Sequence, residues 1–321
     1  MDEPWYSSIS VDLEKVERRL RDTVRSENQE LTEICGYILS SNGKRIRPAM
    51  CLLAYHACGG KNPRKAIDVA TALEMIHNAT LVHDDINDHS ELRRGAQAAY
   101  KKYSVGKSII AGDFMFAIGF RLIGSASYEI VDFIVEASAA MSAGEFDQKE
   151  FERNVGVTEE DYMKIIEKKT ARLIECGAKI GAFLSGAGDD AILKVGEFAF
   201  RTGTAFQIVD DMLDVIGDEG TTGKRIGSDI MEGKPTLPVI YAMQDPVCGD
   251  AVRELFRKKD LEWSDVSEAI DLIKRTDAIQ RCSEKAKAIA GDAIPSLDFL
   301  EDSVYKRSLV NLSDYIVNRK R

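Results

Sequence analysis

Proline and cysteine are both scarce in this chain, and each scarcity argues against a class of structure. Only seven prolines occur among 321 residues, and none lies between Ala96 and Lys234. Because proline breaks helix interiors, so long a stretch without it leaves room for long helices. The six cysteines are scattered without a Cys-x-x-Cys pair, which argues against a zinc site or a disulfide framework and fits a reducing cytoplasm.

Long apolar runs and excess positive charge are also missing. No run of about 18 apolar residues lacks a charge, so we expect no membrane-spanning segment. The stretch from Met1 to Trp5 has no basic region followed by an apolar core, so we expect no signal peptide and a cytoplasmic protein. The net charge of −10 argues against nucleic-acid binding as the main activity.

Alternating patterns typical of strands are nearly absent, and helical patterns take their place. Between Ala66 and Ile86 apolar residues recur at three- and four-residue spacing, which predicts a helix. The preceding Asn62-Pro63 is typical of a cap followed by proline at the first helical position.

Two further long helices are predicted in the second half of the chain. Thr158 and Asp161 have the spacing of a capping box, which predicts a helix to about Ser185, and another is predicted over 188–217. These patterns predict an all-α fold, namely one large helical bundle around a central substrate cavity. We expect residues 1–321 to form a single domain.

The first acidic cluster is Asp84-Asp85-Ile86-Asn87-Asp88, at the end of an apolar helix face. On a helix, Asp84 and Asp88 have Cβ atoms roughly 5–6 Å apart, and like charges at this spacing repel. A hard divalent cation offsets that repulsion, and Mg²⁺ typically takes one or two carboxylates together with phosphate oxygens. For a single cluster, a solvated acidic helix end is an equal alternative.

The same spacing recurs in Asp210-Asp211-Met212-Leu213-Asp214, again after an apolar helix face. Two coincidences in equivalent contexts are much less probable than one. Together the clusters predict several magnesium ions around one diphosphate.

Basic clusters suited to phosphate accompany the aspartates in this acidic chain. They are Gly43-Lys44-Arg45-Ile46-Arg47-Pro48, the pair Arg93-Arg94, and Lys168-Lys169-Thr170. A glycine-rich polar segment over 217–233 follows the second acidic cluster, and Lys224 and Lys234 flank its second half. We interpret this segment as a lid over an anionic ligand, with an ordinary surface loop as the alternative.

Other sites for metals or phosphates have weaker support. The four histidines, His56, His77, His83 and His89, fall within 34 residues. They contain no HExxH motif or i,i+4 pair, which argues against zinc. Gly106-Lys107-Ser108 matches only the end of a Walker sequence and follows no predicted strand, so an NTPase is discounted.

From Gly43 to the C-terminal tail, the chain resembles the trans-isoprenyl diphosphate synthases, or polyprenyl synthetases, in particular those making geranylgeranyl and longer chains. The segments that carry the resemblance are GKRIRP at 43–48, EMIHNATLVHDDINDHSELRRG at 74–95, GD at 112–113, KKTA at 168–171, FQIVDDMLD at 206–214 and GSDIMEGKPTLP at 227–238. One departure is Ala98-Ala99-Tyr100, where Thr-Val-His is frequent in the family.

The resemblance implies a role for each matching residue. The residues that match the isopentenyl diphosphate site are Lys44, Arg47, His77 and Arg94. Those that match positions around the allylic diphosphate and the reacting carbons, which are also the candidate catalytic and substrate-binding residues, are Arg93, Lys169, Thr170, Gln207, Lys224 and Lys234. The matching magnesium ligands are Asp84, Asp85, Asp88, Asp210, Asp211 and Asp214.

The implied reaction is a head-to-tail condensation of isopentenyl diphosphate with an allylic diphosphate, without a side-chain nucleophile. Three Mg²⁺ ions and the basic residues would stabilise charge on the departing diphosphate. The allylic carbocation must then be shielded from water. The resemblance also implies a homodimer.

Product length is predicted from the residues just before the first acidic cluster. In this family the pocket runs beside that helix. Ala79 and Thr80 are small, and Met75 and Ile76 lie one turn further down. We therefore expect a product longer than farnesyl diphosphate, of about twenty to thirty carbons, in a deep apolar channel.

Three alternatives stay open on the residues alone. A class I terpene cyclase shares the first motif, but its Asn/Asp-x-x-Ser/Thr-x-x-x-Glu second motif is not matched around Asp211. A non-catalytic subunit of a heteromeric synthase typically loses the aspartates, whereas this chain keeps all six. A helical scaffold without chemistry leaves the paired motifs unexplained.

Overall fold

The computed structural model describes residues 4–40, 43–124, 127–217 and 225–319. Helices dominate these residues, so the predicted all-α class is confirmed. The α-helices are α1 (Ser10–Thr23), α2 (Gln29–Ser40), α3 (Ile46–Ala57), α4 (Arg64–Asn87), α5 (Ala99–Lys102), α6 (Val105–Leu122), α7 (Tyr128–Glu150), α8 (Glu159–Ile166), α9 (Arg172–Ser185), α10 (Asp189–Ile216), α11 (Ser228–Glu232), α12 (Leu237–Ala242), α13 (Gly249–Arg257), α14 (Trp263–Lys274), α15 (Ala278–Ala293) and α16 (Val304–Asn318). Short 3₁₀ turns occur at Ser7–Ile9 and Ile294–Leu297.

The helix that carries the first acidic cluster begins one residue later than predicted. Helix α4 begins at Arg64, so Pro63 is the capping residue rather than the first helical one. The Asn62 side chain still contributes at this end, since its Oδ1 accepts a hydrogen bond from the Arg64 N–H at 3.3 Å. This satisfies one of the backbone donors that every helix start leaves open.

The capping box before α8 is confirmed. The Thr158 Oγ1 accepts from the Asp161 N–H at 3.2 Å, and the Asp161 Oδ2 accepts from the Thr158 N–H at 3.1 Å. The helix continues to Ser185 as predicted, but it is interrupted by a π-helical segment at Glu167–Ala171. Such segments insert an extra residue into a helix and are frequent at functional sites.

One small hairpin breaks the helical pattern and was not predicted. Strands β1 (Leu92–Arg93) and β2 (Ala96–Gln97) pair antiparallel, with Arg93 opposite Ala96. The two turn residues, Arg94 and Gly95, have φ of +52° and +80°. Two consecutive positive φ angles define a type I′ turn, which favours glycine at its second position. The hairpin places Arg93 at the end of β1 and Arg94 in its turn.

The described chain forms two compact units. Unit 1 comprises residues 1–135, 173–197 and 296–312, and unit 2 comprises residues 136–172, 198–295 and 313–321. The single-domain organisation over 1–321 stays a prediction.

In unit 1, glycines allow helices to pack closely around α4. A Cβ at Gly112 would lie 2.5 Å from His83 Nε2, and one at Gly119 would lie 2.9 Å from Ile76 Cγ1. Both glycines are on α6, so α6 approaches α4 closely. At Gly181 on α9, a Cβ would overlap the carbonyl oxygen of Cys51 on α3.

Unit 2 has an apolar core supplied by α8, α10 and the helices after residue 236. Its members include Tyr162, Ile208, Phe256 and Ile273, each no more than 2% exposed. In the described parts of the chain, no helix is both long enough and apolar enough to cross a membrane.

Candidate active site

The first acidic cluster lies in unit 1, at the C-terminal end of α4. Asp85 points inward, is 4% exposed, and accepts a hydrogen bond from Arg93 Nε at 2.8 Å and a second from Arg93 Nη2. Asp84 and Asp88 are partly exposed. Burial lowers the pKa of Arg93, but the Asp85 carboxylate outweighs this effect and holds that pKa above its usual range.

A glycine-lined contact joins the GKRIRP segment to the hairpin. A Cβ at Gly43 would lie 2.7 Å from Arg94 Nη1 and 3.0 Å from its Cζ. The Arg94 guanidinium therefore lies directly against the backbone of Gly43, where no other residue fits without a shift. Two segments predicted to bind isopentenyl diphosphate are thus neighbours.

His77 lies within a group of arginines on unit 1. Burial, and then the positive charges of Arg47, Arg94, Arg93 and Arg45, lower the pKa of His77 well below its ordinary value of 6.5. The imidazole is therefore neutral at neutral pH, and the strong positive potential around it suits an anion.

Lys44 and Arg45, in the GKRIRP segment, differ in role. Lys44 is exposed. Arg45 adopts a φ of +50° and makes ion pairs inside unit 1, with Glu17 at 2.5 Å and Glu74 at 2.6 Å. Since its guanidinium is used by these two carboxylates, Arg45 fixes the start of α3 and thereby places Arg47.

The second acidic cluster lies in unit 2, and its middle aspartate belongs to a hydrogen-bonded chain. Asp211 Oδ2 accepts from Tyr162 Oη at 2.7 Å, and Oδ1 accepts from Gln207 Nε2 at 2.7 Å. Gln207 Oε1 in turn accepts from Thr170 Oγ1 at 2.7 Å. Tyr162 was not predicted; its position seven residues before Lys169 gave no chemical signal.

Negative charge accumulates around Asp211. Burial, and then the charge of Asp229, raise the pKa of Asp211 to about 8, with a smaller contribution from Asp210. Crowded carboxylates of this kind are relieved by a cation, which is the charge pattern expected of a metal-binding region.

Asp214 anchors the segment that follows the glycine-rich loop. Its Oδ1 accepts from Ser228 Oγ at 2.8 Å and its Oδ2 accepts from the Asp229 N–H at 3.0 Å. Its carbonyl oxygen accepts from the Gly227 N–H at 2.8 Å. Asp214 therefore joins the start of α11 to α10.

Asp210 is the most accessible aspartate of the second cluster, with a side chain that is 45% exposed. Its Oδ1 accepts from Arg319 Nη2 at 2.8 Å. Arg319 follows the last helix, and its distance along the sequence hid this contact from prediction.

The two clusters share one pattern. In each, the first aspartate is partly exposed and the second is buried and bonded to protein donors: Arg93 for Asp85, and Tyr162 with Gln207 for Asp211. A rotation of about 100° per helical residue explains why adjacent aspartates face such different surroundings.

Lys169 and Thr170 lie in the π-helical segment of unit 2. Lys169 Nζ donates to Gln148 Oε1 at 2.5 Å and pairs with Glu145. A Cβ at Gly144 would lie 3.0 Å from the Lys169 backbone nitrogen, so α7 packs closely on this segment.

Lys234 is held at the end of α11. It pairs with Glu232 at 2.6 Å, and its N–H donates to the Asp229 carbonyl at 2.8 Å. Arg153, which was not predicted, donates from Nη2 to the Met231 carbonyl at 2.8 Å. The prediction that 217–233 is entirely a loop is wrong for α11, because Gly227 and Gly233 terminate a short helix there.

The predictions that Lys224 binds the allylic diphosphate and that the glycine-rich segment is a lid concern residues that the structure describes only in part. Lys224 lies in 218–224, outside the described residues. The role of Lys224 and of a lid therefore stays a prediction.

The residues predicted to set product length are mostly buried on α4. Met75, Ile76 and Ala79 have no exposed surface. Thr80 is partly buried, and its Oγ1 donates to the His77 carbonyl at 2.9 Å. Ala98 and Ala99, where the sequence departs from the family pattern, are also buried.

Across the described ranges, no group of three or more His, Cys, Asp or Glu side chains is arranged to hold a metal ion. A metal bound by these aspartates would complete its shell with water and phosphate, as Mg²⁺ commonly does.

Comparison with known proteins gives a consistent result. The sequence profile of the polyprenyl synthetase family matches residues 28–273. The chain is 35% identical over 315 residues to an all-trans-nonaprenyl-diphosphate synthase (geranyl-diphosphate specific) of Rhodobacter capsulatus, covering 97% of this chain and 96% of that protein. It is 33% identical over 298 residues to a geranylgeranyl diphosphate synthase of Methanosarcina mazei, covering 91% and 90%.

A solved structure shows the same similarity in three dimensions. The crystal structure of a polyprenyl synthase from Caulobacter crescentus CB15, complexed with calcium and isoprenyl diphosphate, matches with a TM-score of 0.95. The sequences are 29% identical, and the match covers 99% of this chain and 97% of that one.

Proposed function

This chain belongs to the polyprenyl synthetase family, and we propose from that membership and the site residues that it is a trans-polyprenyl diphosphate synthase. It condenses isopentenyl diphosphate with an allylic diphosphate and releases diphosphate. The observation that carries the proposal is the repeated arrangement of a partly exposed aspartate beside a buried, hydrogen-bonded one, in Asp84-Asp85 and Asp210-Asp211.

The donor set fits magnesium. Carboxylate oxygens are the ligands of hard divalent cations, and burial, followed by the charge of Asp229, raises the pKa of Asp211. Asp84, Asp88 and Asp210, the partly exposed members, would contact the metal, and three ions with the allylic diphosphate are part of this proposal. When bound, Mg²⁺ stabilises negative charge on the departing diphosphate.

The buried aspartates act within the protein. Asp85 fixes the orientation of the Arg93 guanidinium by accepting its hydrogen bonds. Asp211 accepts from the Gln207 amide nitrogen and Thr170 donates to the amide oxygen, so the amide is fixed from both ends. Fixed dipoles and charges of this kind stabilise charge that develops during reaction without having to reorganise.

Lys169 and Lys234 add positive charge for the allylic diphosphate. Each has an acidic partner in the protein, Glu145 and Glu232 respectively. Diphosphate carries more charge than one carboxylate, so it competes for these lysines on binding.

Isopentenyl diphosphate is assigned to the arginine group of unit 1. Arg47 and Arg94 supply charge, Lys44 extends the group toward solvent, and neutral His77 supplies a hydrogen bond. In this proposal the arginines bind this diphosphate directly, without a metal ion.

The product is proposed to be longer than farnesyl diphosphate. The absence of bulk at Ala79 supports this, and the names of the relatives include geranylgeranyl and nonaprenyl products. Ala79→Phe is expected to shorten the products, because the proposed product channel runs beside α4 and the added ring would block it at this position. Chromatography of dephosphorylated products measures this, and an unchanged length distribution would contradict it.

The working unit is proposed to be a cytoplasmic homodimer. The scattered thiols of the sequence support the compartment. Apolar residues exposed on α6, including Ile109 and Ile110, support self-association.

The test is an assay with labelled isopentenyl diphosphate and a series of allylic primers in the presence of Mg²⁺. We expect chain elongation from at least one primer, and a loss of turnover of about 10³-fold or more in Asp84→Ala and Asp210→Ala. Circular dichroism checks that both variants remain folded. No elongation by the folded wild type, or near-normal activity in either variant, would sink the proposal.

A further inference from the structure

Arg319 lies against α10 at the turn that carries the second acidic cluster. Its Nη2 donates to the Phe206 carbonyl at 3.0 Å and to Asp210 Oδ1 at 2.8 Å. The guanidinium also stacks over the Phe206 ring, with Cζ at 4.2 Å from the ring centroid. Phe206 and Asp210 are four residues apart and share one face of the helix, so Arg319 contacts both of them.

This contact differs from an ordinary surface ion pair in its burial. The Arg319 side chain is 1% exposed, whereas that of Asp210 is 45% exposed. A guanidinium is always charged in proteins, so a fixed and desolvated positive charge lies beside an accessible carboxylate. Within the described ranges, Arg319 Nε and Nη1 are buried and have no hydrogen-bond partner, so Asp210 and Phe206 fix its position.

We propose that Arg319 is a resident counter-cation for Asp210, which weakens divalent-metal binding until a diphosphate is present. The inference rests on the proposed function, in which Asp210 contacts the metal. A metal approaching Asp210 either displaces Arg319 from Oδ1 or binds beside it against charge repulsion. Diphosphate brings negative charge that offsets the guanidinium, so the metal and the diphosphate bind together.

Arg319 is thus a positioning residue that acts through Asp210. Its contact neutralises the accessible carboxylate in the substrate-free protein. If Arg319 were only structural, removing its charge would lower the stability of the protein but would not tighten metal binding.

The test measures Mn²⁺ binding to the substrate-free protein by electron paramagnetic resonance. Arg319→Gln removes the charge and is expected to tighten Mn²⁺ binding by about tenfold. Arg319→Lys keeps the charge and is expected to bind Mn²⁺ as the wild type does. Arg307→Gln, which removes a charge from a 59% exposed arginine that pairs with Asp302, serves as the matched control and is expected to leave Mn²⁺ binding unchanged.

A second measurement repeats the titration with inorganic diphosphate. The difference between wild type and Arg319→Gln is then expected to fall below about threefold, because the ligand offsets the positive charge. Arg319→Met, which keeps the apolar stem, is a second charge-free variant and is expected to show the same tightening if Arg319→Gln folds poorly.

Equal or weaker Mn²⁺ binding in the folded charge-free variants would overturn the inference. The variant Asp210→Asn distinguishes a failure of this inference from a failure of the proposed function. If Asp210→Asn leaves Mn²⁺ binding unchanged, the assignment of Asp210 to the metal fails. If Asp210→Asn weakens binding but Arg319→Gln does not tighten it, only the role of Arg319 fails.

Discussion

His77 shows how strongly neighbouring charges set the state of a single residue. It carries no charge at neutral pH, although it lies where the chain is proposed to bind an anion. A neutral imidazole offers a directed hydrogen bond and leaves the positive charge to the surrounding arginines.

A pH dependence of stability follows from His77. Its pKa in the folded protein is lowered below 6.5, so on acidification the unfolded chain takes up a proton that the folded protein refuses. Stability is therefore unaffected above pH 6.5 and falls below it. His77→Gln removes this contribution and is expected to reduce the loss of unfolding free energy between pH 7 and pH 5 by about 1 kcal/mol.

Urea denaturation at the two pH values measures the effect. His89→Asn is the matched control, because His89 is exposed and has a φ of +54° that asparagine tolerates. If His77→Gln lost as much stability on acidification as the control, a depressed pKa of His77 would be ruled out.

Among the secondary-structure elements, sequence patterns predicted the regular helices but missed the π-helical segment and the short hairpin. Helix α10 was placed almost to the residue, since its apolar periodicity is continuous. The π-helical segment at Glu167–Ala171 was missed, because an extra residue in one turn depends on packing that no local pattern records. The β1–β2 hairpin was missed because two-residue strands carry no alternation.

The close packing of α9 on α3 gives a prediction about Gly181. A Cβ there would overlap the Cys51 carbonyl oxygen, which is backbone and cannot rotate away. Gly181→Ala is therefore expected to lower the unfolding free energy by about 1–3 kcal/mol, despite the better helix propensity of alanine. Thermal or urea unfolding measures this.

Gly36 on α2 is the matched control. A Cβ at Gly36 meets nothing within 4 Å, so Gly36→Ala is expected to raise stability by about 0.5–1 kcal/mol. Opposite signs for the two substitutions support close helix packing at Gly181. A stabilised Gly181→Ala would contradict it.

For the molecule as a whole, the family and the all-α class followed from motifs, whereas the contacts between distant residues did not. The sequence indicated which aspartates matter but not that Asp85 and Asp211 are bonded inward. Tyr162 and Arg319 went unrecognised because their partners are 49 and 109 residues away. Such pairings are set by tertiary packing.

The proposed homodimer gives a prediction at this scale. Ile109, Ile110 and Phe120 on α6 are 40%, 60% and 37% exposed, an apolar face that a second copy of the chain would cover. Ile110→Asp is expected to convert the dimer to a monomer, as measured by light scattering coupled to size exclusion. Leu193→Asp, at a 62% exposed position on α10, is the control and should remain dimeric. Retention of the dimer in Ile110→Asp would exclude this face.

The π-helical segment has a consequence for how the helix from Thr158 to Ser185 divides its surface. One added residue advances the angular phase of everything after it by about 100°, relative to an uninterrupted α-helix. The added residue therefore offsets the directions of the side chains that follow it from those that an uninterrupted helix would give. Tyr162 is buried before the segment and Leu173 after it, and Lys169 and Thr170 lie within it. The change in side-chain direction falls at the segment that carries two of the proposed substrate-binding residues, Lys169 and Thr170.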